Sequence, residues 1–286
     1  MKKEWGYMAK ALVAAEPFMR KKIRKQRRSI MSDGAWYNAF YSAVEKSKAY
    51  CAYCDKTFGR DFSQQGFSDM GQLQFMLDKI SLQPGQIVLD MGCGNGKMIE
   101  HLSDVYGIVG HGFDISQTAV DAAGRRTSKK ADRLFYREGS INGIQYEDQS
   151  LDAVLSVDTL YFADPLTTVI GDAFRWMKPS GHFAAFYSEF RFLGSDPLEK
   201  LTKDGTGLAK AFASMGIAYD VYDFTKSHYD VMRRKKEILL GMKQAFDAEG
   251  SGILYDNANM ESIDASMCFE DFLRFSARYL YVAKKQ

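Results

Sequence analysis

The run Val88-Leu89-Asp90-Met91-Gly92-Cys93-Gly94-Asn95-Gly96 leads a short apolar stretch into a glycine cluster, with an acid just ahead of it. Glycine takes φ > 0 without strain and lets a ligand approach the backbone closely. A turn of this kind, placed before a helix, also aims unpaired backbone N–H groups outward. A second acid, Asp114, follows about 20 residues past the glycines, at the end of the next apolar run. A carboxylate there can accept two hydrogen bonds from a ribose diol, and it can equally cap the helix that starts near Ser116. The dinucleotide fingerprint G-x-G-x-x-G fits poorly, because Lys97 stands where its third glycine belongs. NAD and FAD are therefore disfavoured.

Asp90-Met91-Gly92-Cys93-Gly94-Asn95-Gly96 resembles motif I of the class I (Rossmann-like) S-adenosylmethionine (SAM)-dependent methyltransferases, commonly D-x-G-C-G-x-G. Gly112-Phe113-Asp114-Ile115-Ser116 is similar to the G-x-D-x-S motif that follows it. Ser150-Leu151-Asp152-Ala153-Val154-Leu155-Ser156 resembles the fourth-strand motif, and Met177-Lys178-Pro179-Ser180-Gly181-His182 the L-K-P-G-G turn before the fifth strand. The likeness covers roughly residues 70–190, in the family's order and spacing. It implies that Gly92, Cys93 and Gly94 face the methionine and ribose of SAM, and that Asp90 orients the loop or reaches the amino group. It further implies that Asp114 holds the ribose hydroxyls, that Ile115 packs on the adenine, and that the Val157 backbone lines the methionine side. Many relatives place an Asp after the third strand to meet the adenine amino group. Glu138-Gly139-Ser140-Ile141 puts Ser140 there, with Ile141 beside it, so the adenine would meet a hydroxyl without charge assistance.

Methyl transfer from a sulfonium is an in-line displacement, so the protein has mainly to position the nucleophile and exclude water. Positioning alone can supply roughly 7–11 kcal/mol. A neutral amine needs no strong base, whereas a hydroxyl usually needs its proton removed. The reacting centre should lie beyond the carboxyl ends of the central strands. Asp158 and Tyr161 follow the fourth strand and Glu189 the fifth, which makes them the catalytic candidates. Each can also be read as a helix cap, a surface charge or core packing. Trp36, Tyr37, Phe40 and Tyr41 are candidates for the substrate pocket, although aromatics at helical spacing also build cores.

The elements that would position these groups follow from apolar periodicity. Residues 71–80 predict a helix and Pro84-Gly85 a turn. Short apolar runs at 87–89, 108–113, 134–136, 151–157 and 182–187 predict strands, with helices between most of them and at 167–177. This alternation implies right-handed βαβ units and a parallel sheet. Beyond it, 207–215 reads as a helix, 217–224 and 279–283 as strands, and 227–246 as a charged helix. One periodic aromatic segment spans about 36–53. The expected architecture is a doubly wound, mostly parallel seven-stranded α/β sheet. The expected organisation is a helical N-terminal extension and substrate cap (1–70), a SAM-binding Rossmann-like domain (71–224 and 275–286), and a helical insertion or lid between the last two strands (225–274).

Composition narrows the class. The chain has 286 residues, 46% hydrophobic and 26% charged, which suits a globular protein. A net charge of +2 gives no whole-protein attraction to nucleic acid. No stretch approaches the roughly 20 apolar residues of a membrane helix, and no secretory leader is evident, so the expected location is cytoplasmic. The four cysteines are too few for a disulfide framework. Cys51-Ala52-Tyr53-Cys54 lacks the second pair or histidines that zinc needs, and no metal is expected. Residues 20–28 hold seven basic residues in nine, either a solvated helix face or a phosphate-contacting patch. The expected activity is methyl transfer from SAM to a small-molecule nitrogen, oxygen or carbon, with S-adenosylhomocysteine as product. The alternatives are an RNA or protein methyltransferase using the basic segment, and a SAM-binding protein without catalysis. A homodimer is among the assemblies left open.

Overall fold

The computed structural model describes residues 34–190 and 201–286, leaving aside the side chains of Ile263 and Asp264. The basic segment 20–28 and the first 33 residues of the expected N-terminal extension lie outside the described residues. Two helices open the chain, α1 (Gly34–Val44) and α2 (Lys48–Phe58). The single aromatic segment expected over 36–53 is thus divided. Ser47 takes an extended conformation, and its hydroxyl accepts the Tyr50 N–H, ending one helix and starting the next. Helix α3 (Met70–Ile80) starts in the same way, with the Asp69 carboxylate accepting from Gln72 N.

A seven-stranded sheet follows, in the order β3-β2-β1-β4-β5-β7-β6. Its strands are β1 (Ile87–Met91), β2 (Val109–Asp114), β3 (Leu134–Glu138), β4 (Leu151–Val157), β5 (Met177–Phe190), β6 (Tyr219–Asp223) and β7 (Ser276–Lys284). The first five pair in parallel, and β7 runs antiparallel between β5 and β6. Both faces are covered, as the near-continuous apolar strands require. On β4, Val154 packs into one core, with Leu89, Met91 and Phe183, while Ala153 and Leu155 pack into the other, with Val88, Ile99 and Phe186. The strand order reverses between β1 and β4, where doubly wound sheets form a crevice beyond their carboxyl ends.

Helix α4 (Lys97–Tyr106) connects β1 to β2, α5 (Gln117–Arg126) connects β2 to β3, and α6 (Leu166–Trp176) connects β4 to β5. Helix α7 (Gly207–Ser214) precedes β6. Between β6 and β7 lie α8 (Thr225–Ala248), α9 (Gly252–Glu261) and α10 (Phe269–Phe275), the expected helical insertion between the last two strands. This insertion docks on the N-terminal helices through Tyr53, Phe58, Leu239, Phe246 and Leu254. At the far end of α8, Glu249 accepts hydrogen bonds from Ser47 Oγ (2.8 Å) and Ala49 N (3.1 Å). Its carboxylate thereby meets the positive N-terminus of α2. Among the described residues, no helix is long and apolar enough to cross a membrane.

Candidate functional site

The glycine loop sits where β1 gives way to α4. Gly92, Gly94 and Gly96 have φ of 75°, 54° and 73°, the left-handed region that glycine enters freely. Both Gly92 N and Cys93 N donate to Phe113 O at 2.9 Å, which fastens the loop to β2. Arg126 holds its far side, donating to Asn95 O at 2.8 Å. Gly112 leaves room for Cys93, whose Sγ lies 2.6 Å from where a Cβ would stand. The Cys93 thiol is buried, and burial pushes its pKa well up, so it is a packing group rather than a nucleophile.

Asp114 ends β2 against this loop. Its Oδ2 accepts from Gly94 N and its Oδ1 from Ser116 N, both at 2.9 Å. Ser116 itself caps α5, so Asp114 does not cap that helix by the usual route. Each carboxylate oxygen retains acceptor capacity beyond its one backbone donor. Burial outweighs the backbone hydrogen bonds and raises the pKa of Asp114. Asp90, behind the loop, is pushed up to about 7 by burial and secondarily by the Asp114 charge.

Helix α1 covers this arrangement. Tyr41 and Tyr37, one turn apart, face it. The Tyr41 hydroxyl lies 2.3 Å from where a Cβ on Gly94 would stand, so the ring lies against the loop. Burial, and after it the charges of Asp114 and Glu261, raises the pKa of Tyr37. Its ring meets Phe162 edge-on at 6.5 Å. Trp36 and Phe40 instead stack on each other at 5.5 Å, and Phe40 packs on Tyr50 within the helical layer. Asn38, between the two tyrosines, accepts from Ser116 Oγ (2.8 Å) and Thr118 N (3.0 Å), pinning α1 to the start of α5. The backbone of Ile115 lies beside Gly34. Ser140 is exposed and accepts from Asn142 N in a local turn, while Ile141 packs partly against the core under β4. Val157 ends β4, and its carbonyl accepts from Thr159 Oγ1 at 3.3 Å.

The three expected catalytic residues separate. Asp158 is not a free base. Its carboxylate is paired with Arg278, through a short contact to Nη1 and at 3.1 Å to Nη2, and it also accepts from Phe67 N at 2.9 Å. Arg278 is fully buried, and its remaining hydrogen bonds go to Gln72 Oε1, Ser188 Oγ and Ser68 Oγ. All five guanidinium donors are thereby used. Asp158 is held at φ 61°, and with Arg278 it knots β4, β5, β7, α3 and the 66–68 turn together. Tyr161 and Glu189 line one cleft of about 480 Å³ with Tyr187 and Lys210. Glu189 Oε2 accepts Gly207 N at 3.0 Å, at the start of α7. Burial raises the pKa of Tyr161, and its ring meets Phe162 at 4.8 Å, the ring that Tyr37 of α1 also meets. A wider groove, about 1070 Å³, runs along α5 and β3 past Val120, Phe135 and Tyr146.

Several contributors escaped the sequence reading. Arg278 had a legible signal, a lone charge inside the apolar run Ala277-Arg278-Tyr279-Leu280. Lys235 and Glu261, paired at 2.6 Å beneath the insertion, had none, since the pair forms only through the fold of the insertion. Cys54 is buried and Cys51 half-buried, both thiols raised by burial first. Among the described residues, no group of three or more His, Cys, Asp or Glu could hold a metal ion.

Comparison with known proteins agrees with this arrangement. Residues 89–185 match the methyltransferase domain family. Phosphoethanolamine N-methyltransferase 1 of Arabidopsis thaliana is 26% identical over 159 residues, 54% of this chain and 31% of that protein. A sterol 24-C-methyltransferase of Gibberella zeae is 26% identical over 136 residues, 47% of this chain and 35% of that protein. The chain thus spans about a third of the length of these curated relatives. Phosphoethanolamine N-methyltransferase 2 of Haemonchus contortus, solved with phosphomonomethylethanolamine and S-adenosylhomocysteine, superposes with a TM-score of 0.67. That match is 19% identical and covers 87% of this chain and 60% of the other, a likeness of fold. The matched segment, residues 89–185, runs from β1 into β5, so the part of the sheet that carries the glycine loop and Asp114 is the part similar to the methyltransferase domain family.

Proposed function

We propose that this protein transfers a methyl group from SAM to a small-molecule acceptor. The observation that carries this reading is the Asp114 carboxylate fixed against Gly94 N–H, at the mouth of a loop whose glycines occupy the left-handed region. The residues present suit the cofactor. Asp114 would accept from the ribose diol, Asp90 would meet the methionine end, and Ile115, Ser140 and Ile141 would meet the adenine. SAM supplies an activated methyl on a sulfonium. This chain's residues bind, orient and exclude water. Tyr41 and Tyr37 close the loop from above, and Tyr161 flanks the acceptor side. Asp158 acts through Arg278 as a positioning residue. The N-terminal helices and the 225–274 insertion serve as the cap.

The curated relatives act, by their names, on phosphoethanolamine or a sterol, and both are small molecules. The test is incubation of the purified protein with methyl-tritiated SAM and a cell extract separated into small-molecule, RNA and protein fractions. Label is expected in the small-molecule fraction and to disappear with Asp114→Ala. Label confined to RNA or protein would contradict the proposal.

A further inference from the structure

A second set of polar groups lies under the insertion, away from the glycine loop. Asn257 on α9 is 7% exposed, and its Oδ1 accepts from Gln65 Nε2 at 3.4 Å. The other halves of the two carboxamides, Gln65 Oε1 and Asn257 Nδ2, are buried without a hydrogen-bond partner. Turning both amides over exchanges their atoms, but still leaves one donor and one acceptor unmatched. Buried polar atoms are rarely left this way, because each pays its desolvation with nothing in return. A hydroxyl group, donor and acceptor at once, satisfies both.

The surroundings point inward to the proposed reaction centre. Glu261 stands one turn beyond Asn257 on α9. The 64–67 turn runs on to the carboxyl end of β4, where Phe67 N donates to Asp158 Oδ2 at 2.9 Å and a Cβ on Gly66 would stand 2.8 Å from the same oxygen. The Tyr50 hydroxyl donates to Gln64 O at 3.0 Å, holding the 64–66 turn beneath.

The charges here are already balanced. Lys235, 1% exposed, donates to Glu261 Oε2 at 2.6 Å and to Gly66 O at 3.2 Å. Arg278 is spent on Asp158, Gln72, Ser188 and Ser68. A phosphate or an ammonium brought against this group would find Lys235, Glu261, Arg278 and Asp158 already committed to one another and to their neighbours.

From these observations we propose that the acceptor is an uncharged, hydroxyl-bearing small molecule, and that Gln65 and Asn257 recognise its hydroxyl under the lid. This deepens the methyl-transfer reading and rests on it. Gln65 and Asn257 determine specificity and do no chemistry.

The experiment uses the full chain saturated with S-adenosylhomocysteine, with phenol and phosphoethanolamine as probes and calorimetry or ligand-observed NMR as readout. Phenol is expected to bind, and to bind roughly tenfold more weakly to Gln65→Leu and to Asn257→Leu, the loss of one hydrogen bond in a buried site. Affinity for S-adenosylhomocysteine should be unchanged in both variants, which shows that they fold. Gln65 lies in a turn, so its variant serves if the α9 variant does not fold. Phosphoethanolamine is expected not to bind. Binding of phosphoethanolamine, absence of phenol binding, or phenol binding indifferent to both substitutions would overturn the inference. Failure to bind S-adenosylhomocysteine at all would instead remove the cofactor reading beneath it.

Discussion

Asp90 and His228 are single residues whose burial makes the protein sensitive to pH. Asp90 titrates near 7 in the free protein, because burial and the neighbouring Asp114 disfavour its charge. A ligand bearing an ammonium prefers the ionised carboxylate, so below pH 7 binding must expel a proton. Affinity for S-adenosylhomocysteine is therefore expected to rise with pH by up to about tenfold per unit until near 7, then to level off. Calorimetry across that range should show the rise in the wild type and its absence in Asp90→Asn. A flat wild-type profile would mean that Asp90 does not meet the ligand.

His228 lies between the rings of Phe67, Phe190 and Phe272, and neither ring nitrogen has a partner. Burial, then Arg278 and Lys235, lowers its pKa well below the ordinary value, so it folds neutral. Below an unfolded pKa of about 6.5 the unfolded chain binds a proton that the folded chain does not. Stability attributable to His228 is thus present above that pH and lost as pH falls, by up to about 1.4 kcal/mol per unit. Urea unfolding at several pH values should show this loss in the wild type relative to His228→Phe. Parallel curves would contradict it.

At the scale of elements, the Asp158–Arg278 pair joins strands that are distant in sequence. Arg278→Met leaves a buried carboxylate unpaired and should cost about 3–5 kcal/mol of stability in chemical denaturation. Adding Asp158→Asn, which tolerates the left-handed backbone at that position, should recover a large part of the loss. If the double variant is no more stable than Arg278→Met, the pair is not the coupling described. This pairing also marks the boundary of what the sequence discloses. The β1 loop and Asp114 were legible because their chemistry is local, a glycine turn and an acid at fixed spacing. Strand β4 was legible over 151–157 because a buried strand is a continuous apolar run. The break at Ser47 was not, since aromatics on both sides kept the helical period through it. Asp158 invited a catalytic reading because its partner lies 120 residues away.

For the whole molecule, the sheet supplies a glycine loop at the strand-order reversal, α1 lies against that loop, and the 225–274 insertion packs on α1 and α2. The alternating pattern of helices and strands made the sheet readable. The way the insertion folds back on α1 and α2 was not, since Glu249, Lys235 and Asn257 acquire partners only through tertiary contact. The central claim is that the loop and Asp114 form a SAM site. Calorimetric titration of the wild type and Asp114→Ala with SAM, S-adenosylhomocysteine and NAD tests it most directly. Both sulfur nucleosides should bind the wild type and NAD should not, and Asp114→Ala should weaken them by about 1.5–3 kcal/mol. Binding of NAD, or affinity for S-adenosylhomocysteine unchanged in Asp114→Ala, would contradict the account.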